Sequence, residues 1–406
     1  MNRITGGVGL ALALTMPAAQ AINQEIHASF QPDSSQPGKN VFVNKTPSSG
    51  YCANYPAQCA ENNMFSIELP IRYSSNRALI SGDGVSLKVP AGWRRLTVTN
   101  QDTQETAIVE VRITGIGSSF LLSDTASNLT GAPNDREGHD KLWTSDGWLY
   151  APSPCIGTSV SGYGPRNYRF FWRTPVEASC TKTVAFPFRI PSMSFEKLDF
   201  AYELKTPNPL DMSSGLYTGA IAYSMGPGAD FHMGYMMQPD DTNLTLDFVL
   251  DVQHTLKVDL PPGGDKVSLE PAGGWARWIE GGRKPTRIFR DQLFYLSASS
   301  RFKVLMLCNS TGGTACKLGS PKGDTTEVEV FLTLPPGITG PSGGNVTRLP
   351  LRFNDWAGPF QPGIYVDRKP GSLLFEMTPF AIDFLLQPGK SDRLRGNITI
   401  IWDSDV

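Results

Sequence analysis

The residues able to do chemistry are few. Six cysteines, Cys52, Cys59, Cys155, Cys180, Cys308 and Cys316, fall into three close sequence pairs, each around a turn-rich segment. Zinc would want shorter spacings and histidine partners, so these thiols read as disulfides. Six cysteines allow many connectivities. The spacing prefers Cys52–Cys59, Cys155–Cys180 and Cys308–Cys316, loop staples on the order of 2–3 kcal/mol each.

Catalytic arrangements are missing. The four histidines, His27, His139, His232 and His254, are scattered and form no metalloprotease pattern. Neither Gly-x-Ser-x-Gly nor Ser-x-x-Lys occurs, and the glycine clusters lack the Lys-Ser/Thr of a phosphate loop. Asp240-Asp241 could serve glycoside hydrolysis only if paired across a cleft, and in a polar turn they stay solvated. Arg94 and Arg95 beside Trp93, and Arg166, Arg169 and Arg173 in an aromatic segment, suit anionic sugars through bidentate pairing and stacking. The same residues would equally decorate a strand's solvent face. No enzyme, metal or cofactor is expected.

The elements that must position these residues read as strands. The chain has 406 residues, 36 Lys+Arg against 38 Asp+Glu and 40% hydrophobic residues. That excludes global disorder and the basic excess of a nucleic-acid binder. With 40 Gly and 32 Pro, helix interiors are disfavoured. Residues 1–21 read as a secretory signal: Arg3, the apolar run Val8–Leu14 and the small-x-small site Ala19-Gln20-Ala21. A soluble exported chain beginning near Ile22 is expected. Period-two alternation recurs at Phe65–Ile71, across a hairpin from Leu96 to Ile113, and at Leu216–Tyr223, Phe302–Cys308, Glu327–Leu332 and Phe380–Leu385. Ile22–Phe30 also alternates and reads as a first strand, with a donor extension the other possibility.

Leu244 to Leu260 alternate without a slip, with His254 on the apolar face, most simply as a packed, hydrogen-bonded residue. Extended, this run would reach about 56 Å, too long for one sandwich strand. It therefore leaves one domain for the next or serves two sheets in turn. The polar stretch Gln238–Asn243 places the boundary near 240, giving domains 22–240 and 241–406. The closing strand puts Ile398, Ile400 and Trp402 on one face. A C-terminal sandwich ending there would lack its final edge strand and expose an apolar groove that invites another chain's strand.

That ending, Leu394-Arg395-Gly396-Asn397-Ile398-Thr399-Ile400, resembles chaperone–usher pilus subunits. With it go the Cys52–Cys59 loop before a strand, the later Cys155–Cys180 loop and the Gly-x-Tyr-x-Gly strand opening Gly215–Gly219. The two-domain length narrows the resemblance to minor tip subunits of alternate, class 5 fimbriae: cable-pilus biogenesis initiators and colonisation-factor tip adhesins. It implies an all-β fold of two immunoglobulin-like sandwiches, the C-terminal one lacking its last strand. It implies a pilus-initiating, adhesive tip subunit at the bacterial surface, exported through the periplasm. The partners implied are a periplasmic chaperone, an outer-membrane usher, a donor strand from the major pilin, and a host receptor, a glycan among the candidates. Leu256, Val258, Leu260, Ile398, Ile400 and Trp402 would wall the donor groove, or else be ordinary core. The paired arginines of the enterotoxigenic relatives are absent, since Met225-Gly226-Pro227-Gly228 stands in their place. The alternative is a self-sufficient secreted pair of carbohydrate-binding modules.

Overall fold

The computed structural model describes residues 22–404 except 160, 391 and 392; the secretory signal read at 1–21 lies outside these. The fold is all-β, with two large, separate hydrophobic cores and two small satellite clusters among the described residues. The first draws on residues from Ile26 to Val252, the second on residues from Phe294 to Phe375.

In the first sandwich the hairpin expected around 100–106 is present. Arg94–Asn100 pairs antiparallel with Thr106–Leu122, setting Leu96 opposite Val109. The long second strand also pairs with Asn167–Arg173, Met193–Phe195 and Leu198–Lys205, which joins all of them in one sheet. Opposite Ala201 and Tyr202 the register shifts by one residue, leaving Thr114 of the long strand as the extra residue of a bulge.

Asn243–Val252 is an interior strand of this first sheet. It runs antiparallel to Gly215–Ser224 and parallel to Ile22–Phe30, with Ile22 opposite Leu244. Its alternate residues Leu244, Leu246, Phe248, Leu250 and Val252 are buried. The next strand, Leu256–Asp259, pairs instead with Ile288–Ala298 of the second sandwich. The long run thus serves two sheets in turn, changing over at Gln253-His254-Thr255. That is later than the expected position near 240. Within the stretch 238–243 only 240–242 connect the short edge strand Met237–Pro239 to Asn243–Val252, and the polarity of the stretch reflects exposure, not a change of core.

The second sandwich packs two sheets. One runs Leu256–Asp259, Ile288–Ala298, Val366–Met377, Thr325–Thr333, Ala315–Gly319; the other runs Ile338–Thr339, Trp356–Pro362, Phe302–Cys308, Ile398–Ser404. One expected strand is a helix: Pro379–Leu385. Thr378 caps it, its hydroxyl accepting from the Ala381 N–H, and Pro379 fills the first turn, where a missing N–H costs nothing.

Candidate strand-acceptor slot

The six residues expected to wall a groove lie on two sheet edges. Leu256 and Val258, in Leu256–Asp259, pair only with Ala298 and Leu296 of the neighbouring strand. Both are half-buried against the second core, and Leu260 follows, about half exposed. In Ile398–Ser404, Ile398 stands opposite Cys308, Ile400 opposite Met306 and Trp402 opposite Val304. These three are half-buried, while Thr399, Ile401 and Asp403 face outward. The Trp402 ring lies 5.0 Å from Phe294 and 5.9 Å from Phe302, both fully buried.

Among the described residues, no strand pairs with the second edge of either element. The edges come within 8 Å between Cα atoms at their closest, yet no backbone hydrogen bond joins them. An intervening strand would hold them about 9.5 Å apart, two ladder spacings. The two edges are therefore closer at that point than an intervening strand would leave them, and their apolar side chains cover the core only in part. An edge with exposed N–H and C=O groups over half-buried apolar residues favours strand addition over small-molecule chemistry.

The Cys308–Cys316 bridge, with its α-carbons 5.8 Å apart, ties the end of Phe302–Cys308 to the opposite sheet where Ile398 begins its ladder. It braces the strand against which Ile398–Ser404 is laid. The other bridges are also formed as the spacing preferred. Cys52–Cys59 joins the short helices Tyr51–Asn54 and Pro56–Glu61, and Cys155–Cys180 ties a loop to Cys180–Thr183.

The arginines do not converge. Arg94 is committed to Asp230 and lies over the Tyr223 ring, and Arg95 reaches Glu110 at 3.0 Å. Arg169 donates to Asp199 at 2.9 Å, with Glu68 at 3.7 Å. Arg166 is exposed, and Arg173 is half-buried with an unpartnered Nε. None lines either of the two described cavities, about 350 Å³ at Lys317 and Arg395 and about 380 Å³ beside Tyr150 and Cys155. Among the described residues no cluster of metal-ligating side chains occurs.

Two buried charges escaped the sequence reading. Burial pushes the Asp199 carboxyl up to about 6 against the pull of Arg169. Lys182, also buried, donates to the carbonyls of Ser145 (2.9 Å) and Asp146 (3.2 Å), and burial pushes its ammonium down to about 8. A signal for the lysine existed: Cys180, Lys182 and Val184 alternate, which puts its stem on the inward face.

No protein family and no curated protein matches this sequence. Among solved structures, the chain is similar to one from a chaperone–tip adhesin complex of CFA/I fimbriae, with 9% identity and a TM-score of 0.27 over 95% of this chain and 97% of that one. A CFA/I adhesin of enterotoxigenic E. coli gives 10% identity and a TM-score of 0.27, over 95% and 93%. A chain of the archaic Csu pilus chaperone–tip subunit complex from Acinetobacter baumannii gives 8% and 0.22, over 94% and 98%. Overlaps of this size bear no functional weight.

Proposed function

We propose that this chain is a fimbrial tip subunit of the chaperone–usher type, completed in its C-terminal sandwich by a strand from another protein. A periplasmic chaperone supplies that strand first. The N-terminal extension of the major pilin replaces it at the outer-membrane usher, so the subunit starts the fibre and its N-terminal domain is presented at the cell surface, toward a host receptor. One observation carries this reading: the two facing edges Leu256–Asp259 and Ile398–Ser404, unpaired among the described residues and lined by half-buried apolar side chains. Ile22–Phe30, the segment that could have been a donor, is spent in its own N-terminal sheet. A subunit that accepts without donating suits the end of a polymer.

The test is expression of the full chain with and without the chaperone, followed by titration with a peptide copying the major pilin's N-terminal extension. A peptide that binds only the folded chain adds about 2.7 kcal/mol at a hundredfold excess over Kd. A stable monomer without chaperone, unmoved by saturating peptide, would reject the proposal and favour self-sufficient binding modules.

A further inference from the structure

His254 lies at the change-over between the two sheets, with both ring nitrogens engaged. Its Nε2 is 2.8 Å from the carbonyl of Met212, which belongs to the N-terminal domain. Its Nδ1 is 3.0 Å from Ser299 Oγ, which belongs to the C-terminal one. Ser299 Oγ also accepts from the Thr255 N–H at 2.9 Å. The Phe30 ring meets the imidazole edge-on at 5.7 Å.

These partners fix the tautomer. A carbonyl can only accept, so Nε2 carries the proton and Nδ1 is the acceptor, taking the Ser299 hydroxyl hydrogen. The relay is complete with a neutral ring: Thr255 N–H to Ser299 Oγ, Ser299 O–H to His254 Nδ1, His254 Nε2–H to Met212 O. A second ring proton at Nδ1 would face Ser299 Oγ donor to donor. Ser299 is fully buried, so a displaced hydroxyl hydrogen would have no water to turn to.

The charged groups nearby offer no compensation. Asp211, on the segment packed against the ring, accepts from Asn208 Nδ2. Arg301, beyond Ser299, acts on Glu105. Phe30 is the face from the N-terminal strand. Only burial, which lowers the affinity of His254 for a proton, and the carbonyls of Met212 and Pro209, which raise it, act on the ring; burial dominates.

We infer that His254 is an acid-sensitive latch between the two domains, closed while its ring is neutral and opened by protonation. Two neutral contacts accompany it, Gln361 Nε2 to Leu210 O and Tyr365 N–H to Pro37 O, both at 3.3 Å. Exposed to water on opening, the ring regains an ordinary affinity for protons. The closed state therefore loses its advantage as pH falls below about 6.5.

The experiment is amide hydrogen exchange on the full chain from pH 7.5 to 4.5, corrected for intrinsic rates, beside His254→Gln. Glutamine can donate to Met212 and accept from Ser299 but does not titrate. Thr255 and its neighbours should lose at least tenfold protection on acidification in the parent only, while Asn243–Val252 keeps its own. A flat parent profile, or the same pH dependence in His254→Gln, overturns the latch. Should that variant misfold, the parent's own His254 ring titration decides. If it coincides with a change in interdomain scattering distance the latch stands, and if the two separate it falls.

Discussion

Asp199 accepts a hydrogen bond from Arg169 at 2.9 Å while its other oxygen lies against Gly50. That oxygen has no hydrogen-bond partner. A Cβ on Gly50, whose φ is +64°, would stand 2.2 Å from it. The glycine thus lets the loop before the Cys52–Cys59 bridge close over strand Leu198–Lys205, and the burial this creates falls on the carboxylate.

Acid should therefore stabilise the N-terminal domain over a narrow window. The folded Asp199 carboxyl titrates near 6 against 3.8 in its ordinary state, so the fold binds this proton more tightly than the unfolded chain does. Its contribution is fully present below 3.8 and is lost as pH rises through 6. Urea midpoints at pH 7 and 4.5 should differ less in Asp199→Asn than in the parent; an unchanged difference would remove Asp199 as the cause.

Lys182 predicts the opposite slope at alkaline pH. Its folded value near 8 lies below the ordinary 10.5, so the neutral amine is favoured in the fold. Stability should climb from pH 8 to about 9.5, before tyrosines of the unfolded chain ionise. Lys182→Met should flatten that rise in denaturation curves while leaving the Ser145 and Asp146 carbonyls without their donor.

Two substitutions separate slot from core. Ile400→Asp places a charge on the half-buried face of Ile398–Ser404, where an incoming strand would bury it unpaired. Donor-peptide stabilisation should vanish, with the thermal midpoint of the N-terminal domain unchanged. The neighbouring Thr399 faces outward, away from the slot's apolar lining. Thr399→Ser should therefore leave peptide binding within about twofold, because a surface substitution of this kind stays within about 0.5 kcal/mol.

The three bridges should not be equal. In the chain-entropy account, Cys155–Cys180, separated by 25 residues, contributes about 3.5 kcal/mol. Cys52–Cys59, separated by 7, contributes about 2.5 kcal/mol. Replacing each pair by alanine and comparing guanidinium midpoints tests the order.

Much of the fold was legible because alternation is a direct imprint of one-sided burial. The Leu96–Ile113 hairpin, Gly215–Ser224 and the closing strand all follow from it. The same signal misreads Phe380–Leu385, where Ala381 and Ile382 are buried together and Phe380 is 82% exposed, a helical pattern seen only once Thr378-Pro379 is read as cap and first turn. Thr378→Ala should cost about 1 kcal/mol, measurable as a lowered midpoint of the C-terminal domain. The change-over at His254 was illegible for a different reason. Strands of two sheets joined by only three residues keep one phase here, so the sequence carries no mark where the partner changes. The shared face of Ile398, Ile400 and Trp402 was legible, whereas the commitment of Arg94 to Asp230 and of Arg169 to Asp199 depends on segments distant in the chain.

The short passage Gln253–Thr255 makes one backbone common to both halves. Val252 and the residues before it are gripped along nine ladder positions by Ile22–Phe30 and along ten by Gly215–Ser224. A pull arriving through Leu256 would load both ladders in shear, so their bonds must yield together and not by unzipping. The chain is wired as a tensile member, its double grip reaching Val252, with only three residues between it and Leu256.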